Sequence, residues 1–302
     1  MKILVFGAGA MGSFFGGLLS QRHDVTLVGR STHVSAIRNH GLRIRGKTAL
    51  IAHPRAVTTL PVRIRPDLVL VSTKAHATEQ AMRILRPVAP SAMFLTLQNG
   101  LENPDIIARS ARRVVAGTTA HGVTFVDAGE IRHAGIGDTT IGIWQGATSA
   151  DLTRIRDVFE EGGIRTRLSP DIRADLWAKV AINAGINPIA ALAAVTNGRI
   201  ARDRRLAGLL EALVREAAGI ANAEGVALDV DAVVQNAFRV ARRTSSNRAS
   251  MLQDLDRRRP TEIDAIAGAI VRAADRQGLD APLNRAMFAL VSAKEHPGRT
   301  DG

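Results

Sequence analysis

The hydrophobic pattern changes character part-way along the chain. In the first half, short apolar runs at 3–6, 24–28, 67–72, 94–97 and 114–117 are each too short for a helix and lack the alternation of a half-exposed strand. Such runs predict parallel strands buried on both faces. Amphipathic stretches at 10–20, 32–40 and 78–85 separate the first of them and predict crossover helices. A small hairpin is expected at 42–44 and 48–52. Antiparallel strands follow at 118–126, 130–134 and 139–143, then a helix at 151–161 and a last strand at 165–168. Beyond Pro170 the period is helical throughout, with helices at 171–195, 203–224, 229–243, 248–256, 261–277 and 282–296. Gly198, Gly225 and Gly278 read as helix stops, Asp229 and Thr261 as N-caps, and the tail from 297 as disordered.

The first apolar run leads straight into Gly7, Gly9 and Gly12, spaced G-x-G-x-x-G. Gly7 suits a tight turn, Gly9 lets a pyrophosphate approach the backbone, and Gly12 lets the next helix pack closely. The amides of that helix's first turn, at Ala10 and Met11, would face the phosphates. Strand, glycine turn, helix and strand follow in order, which is the context a dinucleotide site requires. The second strand is followed by Arg30, Ser31 and Thr32 rather than by a carboxylate. A guanidinium can pair with a 2′-phosphate, so the expected cofactor is NADP(H). The competing assignment leaves Arg30 in solvent and gives the role to Arg38. Lys74 and Asn99 follow the third and fourth parallel strands, at the sheet edge where ligands bind.

Composition narrows the class. The chain has 302 residues, no cysteine and 46% hydrophobic residues, with room for two domains. No disulfide framework or thiol chemistry is available, no apolar run suggests a membrane span, and a cytoplasmic setting is expected. The net charge of +12 raises nucleic-acid binding. Aromatics are only 3%, and none is interleaved with the basic runs to stack bases. Solvated faces account for those runs, and the positive field favours anionic ligands. His121 reads as a hydrogen-bonded structural histidine, with substrate contact as the competing role.

Only five of the forty basic residues are lysines, so a lysine among apolar neighbours is notable, because only lysine can give up its proton at usable pH. Lys179, Asn183 and Asn187 recur every four residues in WAKVAINAGINP. They form one polar stripe on an apolar helix, which suits hydrogen bonding to a polar ligand. Pro188 is expected to kink the helix just past the stripe. Farther on, Ser250 opens SMLQD, and Thr261, Glu262 and Asp264 lie in PTEID. Thr261 with Asp264 predicts a capping box, and Glu262 would sit at the helix start.

Together, GAGAMG at 7–12, Lys74, Gln98-Asn99-Gly100, the Lys179–Asn183–Asn187 stripe, and SMLQD followed by TEID resemble the ketopantoate reductases over nearly the whole length. The order of elements predicts an α/β fold: an N-terminal Rossmann-type doubly wound domain (1–168) and an all-helical C-terminal domain (169–302), with the site in the cleft between them. The resemblance implies NADPH-dependent reduction of a small 2-keto acid, ketopantoate, to pantoate on the route to pantothenate. Lys179 would protonate the forming alkoxide, with Glu262 as the second catalytic residue, holding either Lys179 or the substrate's terminal hydroxyl. Glu262, Asn183, Asn187 and Ser250 would bind substrate, and Asn99 would lie near both ligands. Another 2-keto acid is the competing substrate, and a non-catalytic NADP(H) sensor the competing class. No metal, nucleic acid or membrane partner is expected, and a homodimer is compatible with the sequence.

Overall fold

The structure is a computed structural model describing residues 1–61 and 64–295. The tail from 297 and residue 296 of the last predicted helix lie outside these. The described chain forms two compact units, one of residues 1–98 and 103–175, the other of 99–102 and 176 onward.

The first unit runs β1 (Lys2–Phe6), α1 (Ala10–Leu19), β2 (Asp24–Val28), α2 (Ser31–His40), β3 (Leu42–Gly46), β4 (Leu50–Ala52), β5 (Arg55–Val57), β6 (Leu68–Val71), α3 (Thr78–Leu85), β7 (Met93–Thr96), α4 (Asn103–Ala108), β8 (Val114–Thr119), β9 (Gly122–Asp127), β10 (Glu130–Gly135), β11 (Thr139–Gln145), α5 (Ser149–Glu161) and β12 (Thr166–Leu168). Eight strands make the main sheet in the order β12-β11-β8-β7-β6-β1-β2-β5. All neighbours pair in parallel except β11 with β8. Strand order reverses beside β1, which creates the switch point where open α/β sheets take ligands. Each face of the sheet has its own apolar core. One core is built around Phe14, Phe15 and Phe159, the other around Val69, Leu85 and Phe94.

A second sheet, β4-β3-β10-β9, corrects the predicted strand at 118–126. That stretch is two strands, because β8 pairs with β11 in the main sheet and β9 with β10 in the small one. Ala120 and His121 form the corner. β5 and α4 were not predicted. At three and six residues they are too short for periodicity to reveal.

The second unit is helical: α6 (Ile172–Ala193, whose first turn belongs to the first unit), α7 (Asn197–Arg202), α8 (Arg204–Ala223), α9 (Val230–Arg243), α10 (Ser250–Asp256), α11 (Ala269–Arg276) and α12 (Pro282–Glu295). A π-helical turn, Asp264–Gly268, leads directly into α11. Asp229 caps α9 by accepting from the Ala232 amide, and Gly225 and Gly278 adopt left-handed conformations after their helices. Gly198 does not stop a helix. It lies inside α7, where a Cβ would meet the backbone of Ser245 at 2.8 Å. The left-handed residue after α6 is Ala194, so no glycine marked that end. Helix α6 continues through Pro188 to Ala193. It is the one helix among the described residues long and apolar enough to cross a membrane, and 72% of its apolar stretch is buried in the protein.

Candidate functional site

In the first unit, β6, β1 and β2 lie side by side and point the same way. Their C-terminal ends therefore bring Lys74, the glycine turn and Arg30 to one edge of the sheet. Gly7 has φ +110°, and a Cβ there would meet the Thr73 amide at 2.7 Å, so turn and strand end pack backbone to backbone. Ser72 Oγ donates to the Gly7 carbonyl at 2.9 Å. A Cβ on Gly12 would overlap that carbonyl and Ser72 Oγ. A Cβ on Gly9 would meet no protein atom within 4 Å. Packing thus explains Gly7 and Gly12, and leaves Gly9 to be explained by what lies outside the protein.

No side chain caps α1 at Gly9, and the first-turn amides of Ala10, Met11 and Gly12 have no intrahelical acceptor. An open cradle ending in free helix amides fits a pyrophosphate. Arg30 is exposed at the N-cap of α2. Arg38, its competitor, donates from Nε to the Ala56 carbonyl at 2.8 Å. Lys74 is exposed just before a short 3-10 turn at Ala75–Ala77. Beneath it, buried Gln98 donates to the Thr73 carbonyl at 2.8 Å and to Thr78 Oγ1 at 2.9 Å. Thr78 donates in turn to Asn103 Oδ1 at 2.7 Å. This network fixes the turn that carries Lys74.

His121 belongs to a packed histidine pair. Its Nδ1 lies 3.1 Å from His133 Nε2, and its ring centroid is 4.9 Å from that of Phe14. Burial is the main cause that pushes its pKa down to about 4, and the neighbouring His133 adds to it. It is neutral at physiological pH and serves packing.

In the second unit, the stripe on α6 is not a solvated face. Asn187 is only 8% exposed, Lys179 and Asn183 are half-buried, and Val180, Ala181, Ala184 and Ile186 around them are buried. Burial lowers the Lys179 pKa from 10.5 to about 8, while the negative charge of the Glu262 carboxylate pulls the other way. Glu262 Oε2 accepts from Asn99 Nδ2 at 2.9 Å. Asn99 and Glu262 are thus hydrogen-bonded partners, and the Glu262 charge acts on Lys179, all three within this unit. Ser250 is exposed in the first turn of α10, and among the described residues no hydrogen bond joins it to Asn99, Glu262 or Lys179.

The predicted capping box does not form. Thr261 Oγ1 accepts from the Ile263 amide at 3.1 Å, but its own amide donates to Glu295 at 2.8 Å, and Asp264 pairs with Arg272. Charged partners from α12 and α11 outcompete the local bond.

Two family models account for most of the chain. "Ketopantoate reductase PanE/ApbA" matches residues 3–146, and "Ketopantoate reductase PanE/ApbA C terminal" matches 171–295. The chain belongs to the ketopantoate reductase PanE/ApbA family. Among its relatives, the 2-dehydropantoate 2-reductase of Halobacterium salinarum is 38% identical, covering 99% of this chain and 100% of the relative. The corresponding Pyrococcus horikoshii protein is 36% identical over 99% of both. Of solved structures, a PanE/ApbA family ketopantoate reductase from Ralstonia eutropha has a TM-score of 0.89 at 32% identity, with 98% of each chain covered. A D-mandelate dehydrogenase in ternary complex with NADH and anilino(oxo)acetate has a TM-score of 0.93 at 27% identity, also over 98% of each.

Sequence reasoning missed three features of this ketopantoate reductase family member: the structural work of Gln98, the pair Glu102–Arg272, and the π-helical turn. Gln98 was legible as a polar residue ending an apolar strand. The pair Glu102–Arg272 joins positions 170 residues apart and carries no local signal, and the five-residue π-helical turn is too short for periodicity to reveal.

Proposed function

We propose that this protein is an NADPH-dependent 2-dehydropantoate 2-reductase, which converts ketopantoate to pantoate. The observation that carries this reading is a buried-helix lysine whose pKa is lowered to about 8 within the field of a carboxylate that an asparagine holds. When bound, the reduced dinucleotide supplies a hydride to the keto carbon. Negative charge then develops on the carbonyl oxygen, where the Lys179 ammonium stabilises it and donates its proton to leave the secondary alcohol. Arginine would stabilise the charge but could not protonate it. Ionised Glu262 is an acceptor only, so it suits a hydroxyl such as the one at ketopantoate's far end. Asn183, Asn187, Ser250 and Asn99 supply donors and acceptors for the remaining polar groups. Gly7, Gly9, Ala10, Met11 and Gly12 cradle the pyrophosphate, Arg30 pairs with the 2′-phosphate, and Lys74 lies at the same sheet edge.

The test compares ketopantoate with 2-oxoisovalerate, which keeps the branched keto acid and lacks the hydroxymethyl group. A substrate without that hydroxyl leaves Glu262 unmatched, at about 1–3 kcal/mol. With saturating NADPH, ketopantoate should have at least about a tenfold larger kcat/KM. Glu262→Gln should narrow the ratio. A ratio near one, with aryl keto acids preferred, would place the protein beside the mandelate dehydrogenases in substrate choice.

A further inference from the structure

Asn99 lies far from Glu262 in sequence, yet the tetrapeptide Asn99-Gly100-Leu101-Glu102 is part of the helical unit. Three contacts seat it there. At one end Asn99 donates to Glu262. At the other, the Arg272 guanidinium grips Glu102 with two parallel bonds, Nε to Oε1 at 2.9 Å and Nη2 to Oε2 at 2.8 Å. Between them Gly100, at φ +100°, lies so close to the π-helical turn that a Cβ would meet the Ala265 carbonyl at 2.8 Å. The same guanidinium also binds the turn itself. Nη1 donates to Asp264 Oδ1 at 2.7 Å and Nη2 to the Asp264 carbonyl at 3.1 Å. Gly268 leaves the room, since a Cβ there would meet Asp264 Oδ1 at 2.8 Å and Arg272 Nη1 at 3.2 Å. One side chain thus ties the tetrapeptide carrying Asn99 to the turn that follows Glu262.

We propose that Arg272 is a positioning residue of the substrate site: by clamping Glu102 onto the Asp264–Gly268 turn it sets Asn99 against Glu262 and so orients the Glu262 carboxylate. This rests on the reading of Glu262 as a substrate-binding group. Stability is not a sufficient account of the clamp. The Arg272 and Glu102 side chains are 38% and 41% exposed, and pairs at such exposure add little to folding. A two-pronged guanidinium–carboxylate contact fixes geometry more than it adds energy. A π turn is also an unusual place to begin a helix, and such turns recur where function needs a backbone displaced.

The experiment uses the full-length protein with Arg272→Met, and with Glu102→Gln as the variant that keeps shape should the first fail to fold. Arg272→Met should lower kcat/KM for the keto acid about 10- to 100-fold, mainly through KM, and leave the Kd for NADPH unchanged. Combined with Glu262→Gln it should cost little beyond Glu262→Gln alone, because both act through one carboxylate. Additive losses, or an equal loss in NADPH binding, would overturn the proposal. Arg272→Lys, which keeps one link to Glu102, should recover part of the loss. A readout independent of turnover separates this idea from the proposed reaction. Five lysines give few signals after 13C-methylation, and Lys179 can be assigned by its absence in Lys179→Arg. Glu262 is the one charged group that raises the Lys179 pKa, so in Arg272→Met the Lys179 titration should move below its wild-type midpoint. An unmoved or higher midpoint overturns the proposal. Failure of the wild type to reduce ketopantoate would instead overturn the substrate reading and leave this titration decisive.

Discussion

A lysine that protonates an alkoxide has to carry a proton when substrate binds and let it go within one turnover. At the ordinary value near 10.5 the proton is held too tightly, and burial of Lys179 brings its pKa to about 8. In the proposed reaction the protonated form is the working one, so activity should be retained below that value and lost as pH rises through it. The kcat/KM for the keto acid should therefore fall about tenfold per pH unit above about 8, with the limb read from a pH–rate profile. Lys179→Ala should bind NADPH and lose about 10²–10⁴-fold in kcat, and Lys179→Arg should recover little of it. An arginine variant with full turnover would reduce Lys179 to an electrostatic anchor. Lys179 was legible from sequence because lysine is scarce here and its helix is apolar. The hydrogen bond from Asn99 to Glu262 was not, because it joins positions 163 residues apart.

Among elements, the glycine turn separates two demands that sequence alone merges. Gly12 is required by the close approach of α1 to the Gly7 carbonyl and Ser72, and Gly9 is not required by any protein atom. Gly12→Ala should destabilise the protein by about 1–3 kcal/mol in chemical denaturation, since the overlapping atoms include backbone. Gly9→Ala should stay within about 1 kcal/mol of wild type, the scale of a changed N-cap. Its Kd for NADPH, measured by fluorescence, should rise about tenfold or more as the methyl group takes the pyrophosphate's place. Equal effects in both variants would contradict the separation. The strands and long helices were legible because buried strands read as apolar runs and helices as 3.6-residue periods. What escaped was short or competitive. Gly198, read as a stop, lies inside the six-residue α7, and the capping box was lost because Thr261 pairs with Glu295, 34 residues away, and Asp264 with Arg272, eight residues on.

For the molecule as a whole, electrostatics acts at two ranges. The net charge of +12 draws in anions such as a dinucleotide or a keto acid from a distance, and salt screens it. Raising NaCl from about 50 mM to about 500 mM should lower kcat/KM for NADPH several-fold, with kcat little changed. In the proposed function Arg30 acts at contact range. Exposed at the start of α2, it should discriminate between cofactors, so Arg30→Ala should raise the KM for NADPH about tenfold and leave that for NADH nearly unchanged.

The seating of residues 99–102 in the helical unit bears on how such proteins can recombine. A junction after residue 175, where the chain passes from one unit to the other, looks like the natural place to exchange halves between relatives. A chimera made there would take Glu262 and Arg272 from one parent, and the Asn99 and Glu102 they bind from the other. A workable exchange has to carry the tetrapeptide along with the helices, which makes the helical unit a module of two separate stretches of gene.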